Sequence, residues 1–125
     1  MNENEVELNG KVYVLKSTIK SNTPATKNKN GLEYCIVRTY SAGVFAGYYD
    51  RKTKGKEGIV YNARRLWYWK GANSLSELSV KGVANPTECK FAVPVAEVNL
   101  KEIIEVLPCT KIAQDNISLV KEWSQ

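Results

Sequence analysis

The stretch that decides the fold is EYCIVRTYSAGVFAGYY, at residues 33–49. β-Branched and aromatic residues fill Glu33–Tyr40 and again Val44–Tyr49, and these residue types favour extended strands. The segment between them, Ser41–Gly43, is small, and its glycine permits the tight reversal that a short hairpin needs. The stretch therefore predicts two antiparallel strands joined by a tight turn.

Strand signals continue on both sides of this hairpin. Downstream, a charged, turn-like segment at residues 50–58 is followed by a long apolar and aromatic run, Ile59–Trp69, which predicts a third strand. Upstream, residues 11–19 have the composition of a strand, and the polar residues 21–31 predict a loop. The first half of the chain is therefore expected to form an antiparallel meander.

The second half of the chain contains two helix signals. Ser74 and Glu77 have the spacing of a capping box, in which the two side chains satisfy free N–H groups at a helix start, and Gly82 can end the helix that follows. Thr110 is expected to cap a last short helix over residues 111–117.

Two more strand segments complete the predicted fold. Phe91–Val98 reads as a strand interrupted by Pro94, which has no N–H group and favours a sheet edge or a bulge, and Ile103–Leu107 is a further apolar strand. We expect an α+β fold, an antiparallel sheet of about five or six strands with two short helices. The predicted domains are an N-terminal arm and loop with one strand at residues 1–33, and a single α+β ligand-binding domain at residues 34–125.

Positive charge and aromatic rings are concentrated in the same part of the chain. The net charge is +5 over 125 residues, whereas residues 11–70 alone carry +10. All four arginines and nine of the twelve aromatic residues lie between Tyr34 and Trp69. Guanidinium groups match phosphate oxygens and flat rings stack on bases, so this composition favours a partner with phosphates and bases. A solvated cationic surface beside a tyrosine-rich core explains the same composition.

Several residue types and motifs are missing, and their absence limits the chemistry. The chain has no histidine, which excludes serine–histidine and cysteine–histidine catalysis. Its three cysteines are too far apart for a CxxC pair, which argues against zinc and favours reduced, buried thiols. No phosphate-loop or dinucleotide motif is present. We therefore expect no enzymatic activity, no metal and no cofactor.

The location of the protein is expected to be cytoplasmic. The longest apolar runs span only a few residues, far short of a membrane helix. Residues 1–7 are acidic and polar where a secretory signal would be basic and then apolar.

The long predicted strand places one arginine on each of its faces. Strand alternation assigns Tyr61, Ala63, Arg65, Trp67 and Trp69 to one face, and assigns Val60, Asn62, Arg64, Leu66 and Tyr68 to the other. A guanidinium between aromatic rings can stack on them and still bind an anion. The alternative is that the tryptophans are core residues and that the arginines reach solvent or pair with Glu77 or Glu97.

Four segments of the chain carry a resemblance to a known family. They are IVRTYSAGVFAG at residues 36–47, ARRLWYW at 63–69, NPTECKF at 85–91 and IEVLPCT at 104–110. Over about residues 34–123 the chain resembles a family of small phage and prophage proteins that is associated with the Thoeris anti-defence proteins, which act as sponges for nucleotide signals. The first 33 residues lie outside this resemblance.

The resemblance implies a protein that binds a cyclic ADP-ribose isomer made by a bacterial TIR enzyme and holds it without cleaving it. The ligands implied by the resemblance also include cyclic oligonucleotides, as a second class. The resemblance also implies a homo-oligomer, a dimer or a hexamer, with ligand sites near the subunit contacts.

The residues expected to form the site fall into three chemical groups. Phosphates are assigned to Arg38, Arg64, Arg65 and Lys90. Stacking on the base is assigned to Tyr40, Trp67, Trp69 and Phe91. Polar or backbone contacts are assigned to Ser41, Gly43, Asn85 and Thr110.

Two other functions stay open at this stage. The basic, aromatic first half also suits a small nucleic-acid-binding β module, whose affinity would fall steeply with added salt. Exposed aromatic side chains also suit a protein that inhibits a host factor by binding it.

Overall fold

The computed structural model describes residues 23–123. The strand predicted at residues 11–19 and the acidic segment 1–10 lie outside the described residues. Within the described part, the α+β prediction is confirmed, with a six-stranded antiparallel sheet and two α-helices. The elements are β1 (Glu33–Thr39), β2 (Val44–Tyr49), β3 (Gly58–Tyr68), α1 (Leu75–Lys81), a 3₁₀ turn (Pro86–Glu88), β4 (Lys90–Phe91), β5 (Val95–Leu100), β6 (Ile103–Pro108) and α2 (Lys111–Leu119).

The long strand β3 organises the sheet. The strand order is β4-β3-β2-β1-β6, and β5 also pairs with β3, along Gly58–Ala63. Pro94 separates β4 from β5, so the interruption predicted there is confirmed. Only Lys101 and Glu102 connect β5 to β6, although these strands pair with β3 and β1 respectively. The sheet is therefore curved, and the edge strands β5 and β6 come together where Lys101 and Glu102 connect them.

The two faces of the curved sheet bury separate apolar clusters. The helix face packs under α1 and α2 and includes Tyr34, Ile36, Ala46, Leu66 and Phe91. The inner face lies inside the curve and includes Cys35, Val37, Phe45, Val60, Ala63, Leu100 and Ile103. Alternating residues of β1 and β2 supply both clusters, as the period of two along a strand requires.

Two bulges in β3 correct the predicted alternation of that strand. The first lies opposite Gly47, where Asn62 takes the left-handed conformation with φ 51°, and it places Val60 and Ala63 together on the inner face. The second lies between Leu66 and Tyr68. Each bulge inserts one residue and reverses the assignment of faces beyond it. The predicted grouping of Val60 with Leu66 is therefore wrong, because these residues pack in different clusters.

Both helices begin at the predicted caps. The Ser74 Oγ accepts from the Glu77 N–H at 3.1 Å, and the Glu77 carboxylate accepts from the Asn73 N–H at 2.9 Å. Thr110 Oγ1 accepts from the Ala113 N–H at the start of α2. Gly82 ends α1, as predicted, with φ 76°. No helix within residues 23–123 is long and apolar enough to cross a membrane.

The segment before β1 is a loop, as predicted, and hydrogen bonds attach it to the start of α2. The Ala25 N–H donates to the Cys109 carbonyl at 3.1 Å, and the Lys111 N–H donates to the Thr23 carbonyl at 2.8 Å. These bonds place Thr26 beside α2, where it lines a cleft described below.

All three cysteines are free and buried, which confirms the prediction of buried reduced thiols. Burial raises the pKa of Cys35 and of Cys109 from 9.0 to about 12. Between these pH values the unfolded chain loses thiol protons that the folded chain keeps, so stability falls as pH rises, whereas below pH 9 the two thiols contribute no pH dependence.

We expect the free energy of unfolding to fall between pH 9 and 11 by up to about 1.4 kcal/mol per pH unit for each buried thiol. Urea unfolding at a series of pH values measures this slope. A Cys109→Ala variant is the control, since it lacks one of the two buried thiols and should show a smaller fall in the free energy of unfolding per pH unit. The same slope in both proteins would contradict the contribution of Cys109.

Candidate functional site

The three predicted arginines lie in three different places. Arg64 is on the helix face of β3 and Arg65 is on its inner face, which confirms that the strand presents one arginine on each side. Arg38 lies on β1 and pairs with Glu105, Nε to Oε1 at 3.1 Å. The arginines therefore do not converge on one pocket, and each has to be considered with its own neighbours.

Arg65 is stacked between two aromatic rings. Its guanidinium carbon lies 4.7 Å from the centre of the Phe45 ring and 5.3 Å from the centre of the Trp67 ring. Its Nε is buried and makes no hydrogen bond. A guanidinium held in this way keeps its charge and part of its hydrogen-bonding capacity for another group.

The second bulge brings two consecutive aromatic residues to the same side of the sheet. Tyr68 pairs with Lys90, whose neighbour Phe91 points into the helix face, so Tyr68 and Lys90 point away from the helices. Trp67 stands beside them because the bulge inserts it between Leu66 and Tyr68. In a regular strand, Trp67 and Tyr68 would lie on opposite faces.

These residues line an open cavity, here called the aromatic cleft. Its lining residues are Trp67, Tyr68, Lys90 and Trp123, and its volume is about 490 Å³. The Trp67 side chain is 58% exposed and Trp123 is 39% exposed. The Lys90 Nζ lies 5.2 Å from the centre of the Trp123 ring. A cavity of this volume is large enough for a ligand of nucleotide size.

The two cations beside the exposed tryptophans, Lys90 in the lining of the aromatic cleft and Arg65 next to Trp67, have no acidic partner within residues 23–123. Within residues 23–123, ion pairs join Arg38 to Glu105, Arg51 to Glu33, Lys70 to Glu88, Lys101 to Glu57 and Lys111 to Asp115. Arg65 and Lys90 take part in none of them and instead lie over aromatic rings. The aromatic cleft thus combines exposed π-faces with the unpaired ammonium group of Lys90, and the Arg65 guanidinium lies against Trp67 outside the lining of the cavity.

Sequence reasoning placed Arg65, Trp67 and Lys90 among the candidate residues but missed Tyr68 and Trp123. Trp123 reaches the cleft because residues 122–123 run beside β4, where the Trp123 N–H donates to the Phe91 carbonyl at 2.9 Å. Its exposure depends on a long-range pairing that no local pattern indicates.

Trp69 and Arg38 form a separate, shallower site. Trp69 packs against the helix-face cluster, on the side opposite to Trp67, so their predicted common face is corrected. Trp69, Arg38, Glu105 and Ser74 line the same cavity. Because Glu105 already neutralises Arg38, this cavity is a weaker candidate for an anion.

The predicted residues of the β1–β2 turn lie together, away from the aromatic cleft. The Tyr40 ring is 77% exposed, and Gly43 takes a positive φ of 102°. The Ser41 hydroxyl donates to the Glu102 carboxylate at 2.9 Å. The Ser41 hydroxyl is therefore already engaged by a carboxylate of the described chain, which makes this turn a weaker candidate for an anion.

Three further predicted site residues have structural roles. The Phe91 ring is completely buried under Arg64, so its assignment as a stacking residue is corrected. The Thr110 hydroxyl caps α2 and donates to the Val80 carbonyl, which occupies its hydrogen-bonding capacity. The Asn85 carbonyl accepts from the Glu88 N–H in the 3₁₀ turn, and its side chain is absent from the lining of the aromatic cleft.

Arg64 ties the end of α2 to the sheet. Its three nitrogens donate to backbone carbonyls, Nε to Ala92 at 2.7 Å, Nη1 to Ile117 at 2.7 Å, and Nη2 to Val120. The side chain is only 4% exposed, and burial lowers the pKa of its guanidinium. The carbonyls at a helix C-terminus carry partial negative charge, which stabilises a cation at this position.

The aromatic cleft can therefore stack a flat ring and neutralise an anion. Among residues 23–123, no group of three histidine, cysteine, aspartate or glutamate side chains is arranged to hold a metal ion. The chemistry that its lining offers is binding by indole, phenol and ammonium groups.

Comparison with known proteins gives one match. The profile of a family described as a domain of unknown function, DUF6948, matches residues 32–117, from just before β1 into α2. No curated protein and no solved structure matches the chain. The matched range includes Arg65, Trp67 and Lys90 and ends before Trp123. Since it spans more than half of the chain, the protein belongs to the DUF6948 family.

Proposed function

We propose that this protein binds a cyclic ADP-ribose isomer in the aromatic cleft and retains it unchanged. The observation that carries the proposal is the combination of two exposed indoles with the Lys90 ammonium in one cavity, and with the Arg65 guanidinium stacked on one of those indoles; neither cation has an acidic partner among the described residues. In the biological role proposed here, a phage-encoded protein in the host cytoplasm removes a Thoeris immune signal by sequestering it.

Stacking on the adenine is assigned to the tryptophans of the cleft. The rings of Trp67 and Trp123 line the same cavity and leave part of their surface open. Base stacking on an aromatic side chain contributes about 1–3 kcal/mol for each base. Because every base has a π-face, stacking alone selects weakly, and the phosphates have to contribute the remaining affinity.

The pyrophosphate is assigned to Lys90 and Arg65. The Lys90 ammonium lies over the Trp123 ring, next to the expected position of the base. The Arg65 guanidinium carbon lies 5.3 Å from the centre of the Trp67 ring, outside the lining of the cavity, and we assign its Nη groups rather than its buried Nε to the phosphate. Charge-assisted hydrogen bonds from two cations suit a dianion better than contacts from one, since each is about twice as strong as a neutral bond.

The decisive experiment measures both binding and the fate of the ligand. The full-length protein is incubated with the product that a bacterial TIR enzyme makes from NAD, separated from free product and denatured by heat, and the released compound is identified by mass spectrometry. Recovery of the intact isomer in stoichiometric amount is expected. Recovery of an altered compound would indicate an enzyme, and recovery of none would overturn the proposal.

Replacing Trp67 with alanine is expected to weaken retention of the ligand at least tenfold, because about 1.4 kcal/mol or more of stacking is lost. Isothermal titration calorimetry with the purified isomer measures the change. Tyr40→Ala is the matched control, since it removes an aromatic ring of high exposure from a distant turn. Equal affinities in all three proteins would remove the aromatic cleft from the site.

A nucleic-acid-binding function is the second candidate, and a specific observation favours it. Lys52, Lys54 and Lys56 are exposed in the β2–β3 loop and form no ion pair with a described residue. Binding along a strand that contacts many phosphates predicts a steep fall in affinity with added salt, whereas a dianionic ligand predicts a shallow one. Titration of a single-stranded oligonucleotide at several salt concentrations distinguishes the two functions.

A further inference from the structure

A second cleft lies on the opposite side of the sheet, between the helix face, α2 and the loop before β1. Its volume is about 480 Å³, and we call it the helix–sheet cleft. Tyr34, Tyr48, Asn62 and Arg64 line it from the sheet, and Lys111 and Gln114 line it from α2. None of these residues lines the aromatic cleft.

The charge of the helix–sheet cleft is positive. Its charged lining residues are Arg64, Lys111 and Asp115, and Lys111 pairs with Asp115 at 2.9 Å. Arg64 donates to neutral carbonyls and forms no ion pair within residues 23–123, and the nearby Glu122 carboxylate offsets part of its charge. Because the guanidinium is nearly buried, solvent screens its field less than at an exposed site.

The cleft also presents hydrogen-bonding groups that have no described partner. The Tyr34 hydroxyl and the Asn62 amide bond to no group within residues 23–123. The Tyr48 hydroxyl accepts from the Gln114 Nε2 at 3.1 Å, which leaves its own proton free to donate. Free donors beside a cation are the groups that hold an anion.

Two features fix these groups in position. The Gln114 side chain exchanges two hydrogen bonds with the Thr26 backbone, both at 2.9 Å. These bonds fix the Gln114 amide, which in turn donates to the Tyr48 hydroxyl. Asn62 has a left-handed backbone at the first bulge, a conformation that asparagine adopts more readily than most residues, and the bulge thereby sets the direction of its side chain.

We infer that the helix–sheet cleft binds the carboxylate or phosphate group of a small organic anion, independently of the aromatic cleft. Arg64 supplies the positive charge, Lys111 balances the charge of Asp115, and Asn62 and the two tyrosine hydroxyls donate hydrogen bonds to the anion. The body of the ligand packs against the two tyrosine rings, which meet edge to face with centres 5.2 Å apart.

Nuclear magnetic resonance of the full-length, nitrogen-15-labelled protein tests this inference. The probes are sodium phosphate and sodium acetate at millimolar concentration, each compared with sodium chloride at the same ionic strength. We expect saturable shifts of the Asn62 and Gln114 side-chain amides with at least one probe, at concentrations that do not depend on any shift of the Trp67 indole. A response to phosphate alone assigns a phosphate ligand, a response to acetate alone assigns a carboxylate, and a response to both assigns either group.

Two variants give the test its controls. Asn62→Gly retains the left-handed backbone but removes the amide, so the domain should fold while binding weakens at least about threefold. Lys111→Gln removes a lining cation and should weaken binding about tenfold. Lys70→Gln is the matched control, because Lys70 also pairs with an acid at 2.9 Å but lies outside the cleft. Absence of saturable shifts, or equal binding by Asn62→Gly and the unchanged protein, overturns the inference.

Discussion

Replacing Arg64 with methionine is expected to lower the free energy of unfolding by about 3–5 kcal/mol, the cost typical of removing one member of a buried charged network. Methionine fills part of the same volume beside Phe91 but donates no hydrogen bond. The carbonyls of Ala92, Ile117 and Val120 would then lose their donors. Urea unfolding followed by circular dichroism measures the loss.

The neighbouring arginine is the matched control for this substitution. Arg65→Met removes the same charge one position along β3, but the Arg65 side chain makes no hydrogen bond to a residue within 23–123 and stacks on Phe45 and Trp67. Its expected cost is about 1 kcal/mol or less, the value of an exposed cation–π contact. Similar losses in the two variants would mean that Arg64 does not hold the end of α2.

The opposite roles of these consecutive arginines show what a local pattern can predict. Alternation along a strand is a local property, and it predicted that Arg64 and Arg65 would lie on different faces. What each face meets is decided by segments far along the chain, since the carbonyls that bind Arg64 belong to residues 92, 117 and 120. The sequence therefore indicated the position of each guanidinium but could not indicate its partners.

The same distinction explains which elements of the fold were predicted. Hairpin turns and helix caps depend on a few neighbouring residues, and the β1–β2 hairpin and the caps at Ser74 and Thr110 were predicted correctly. The faces of β3 were not, because each bulge depends on the strand paired with it. The aromatic cleft depends on the second bulge, so sequence reasoning identified Trp67 and Lys90 but missed Tyr68 and Trp123.

Substituting alanine for Gly47 is expected to destabilise the protein by about 3 kcal/mol, at the upper end of the range for overpacking, because the first bulge leaves no space for a side chain there. A Cβ atom at residue 47 would lie 2.6 Å from Val60 Cγ1, 2.8 Å from the Tyr61 carbonyl oxygen and 3.1 Å from Ala63 Cα. Two of these atoms belong to the backbone of β3, so β2 and β3 would have to separate. Thermal and urea unfolding measure the loss.

Gly55→Ala separates this packing effect from the general cost of replacing a glycine. Gly55 lies in the exposed β2–β3 loop with φ 85° and has open space around its Cβ position, so only conformational strain is expected, about 1 kcal/mol. Because Asn62 is held in its left-handed conformation by the same bulge, Gly47→Ala should also move the Asn62 side-chain amide signal, whereas Gly55→Ala should not. A Gly47→Ala protein as stable as the Gly55→Ala protein would mean that β3 runs past Gly47 without a bulge. The original alternation of Val60 with Leu66 would then be restored.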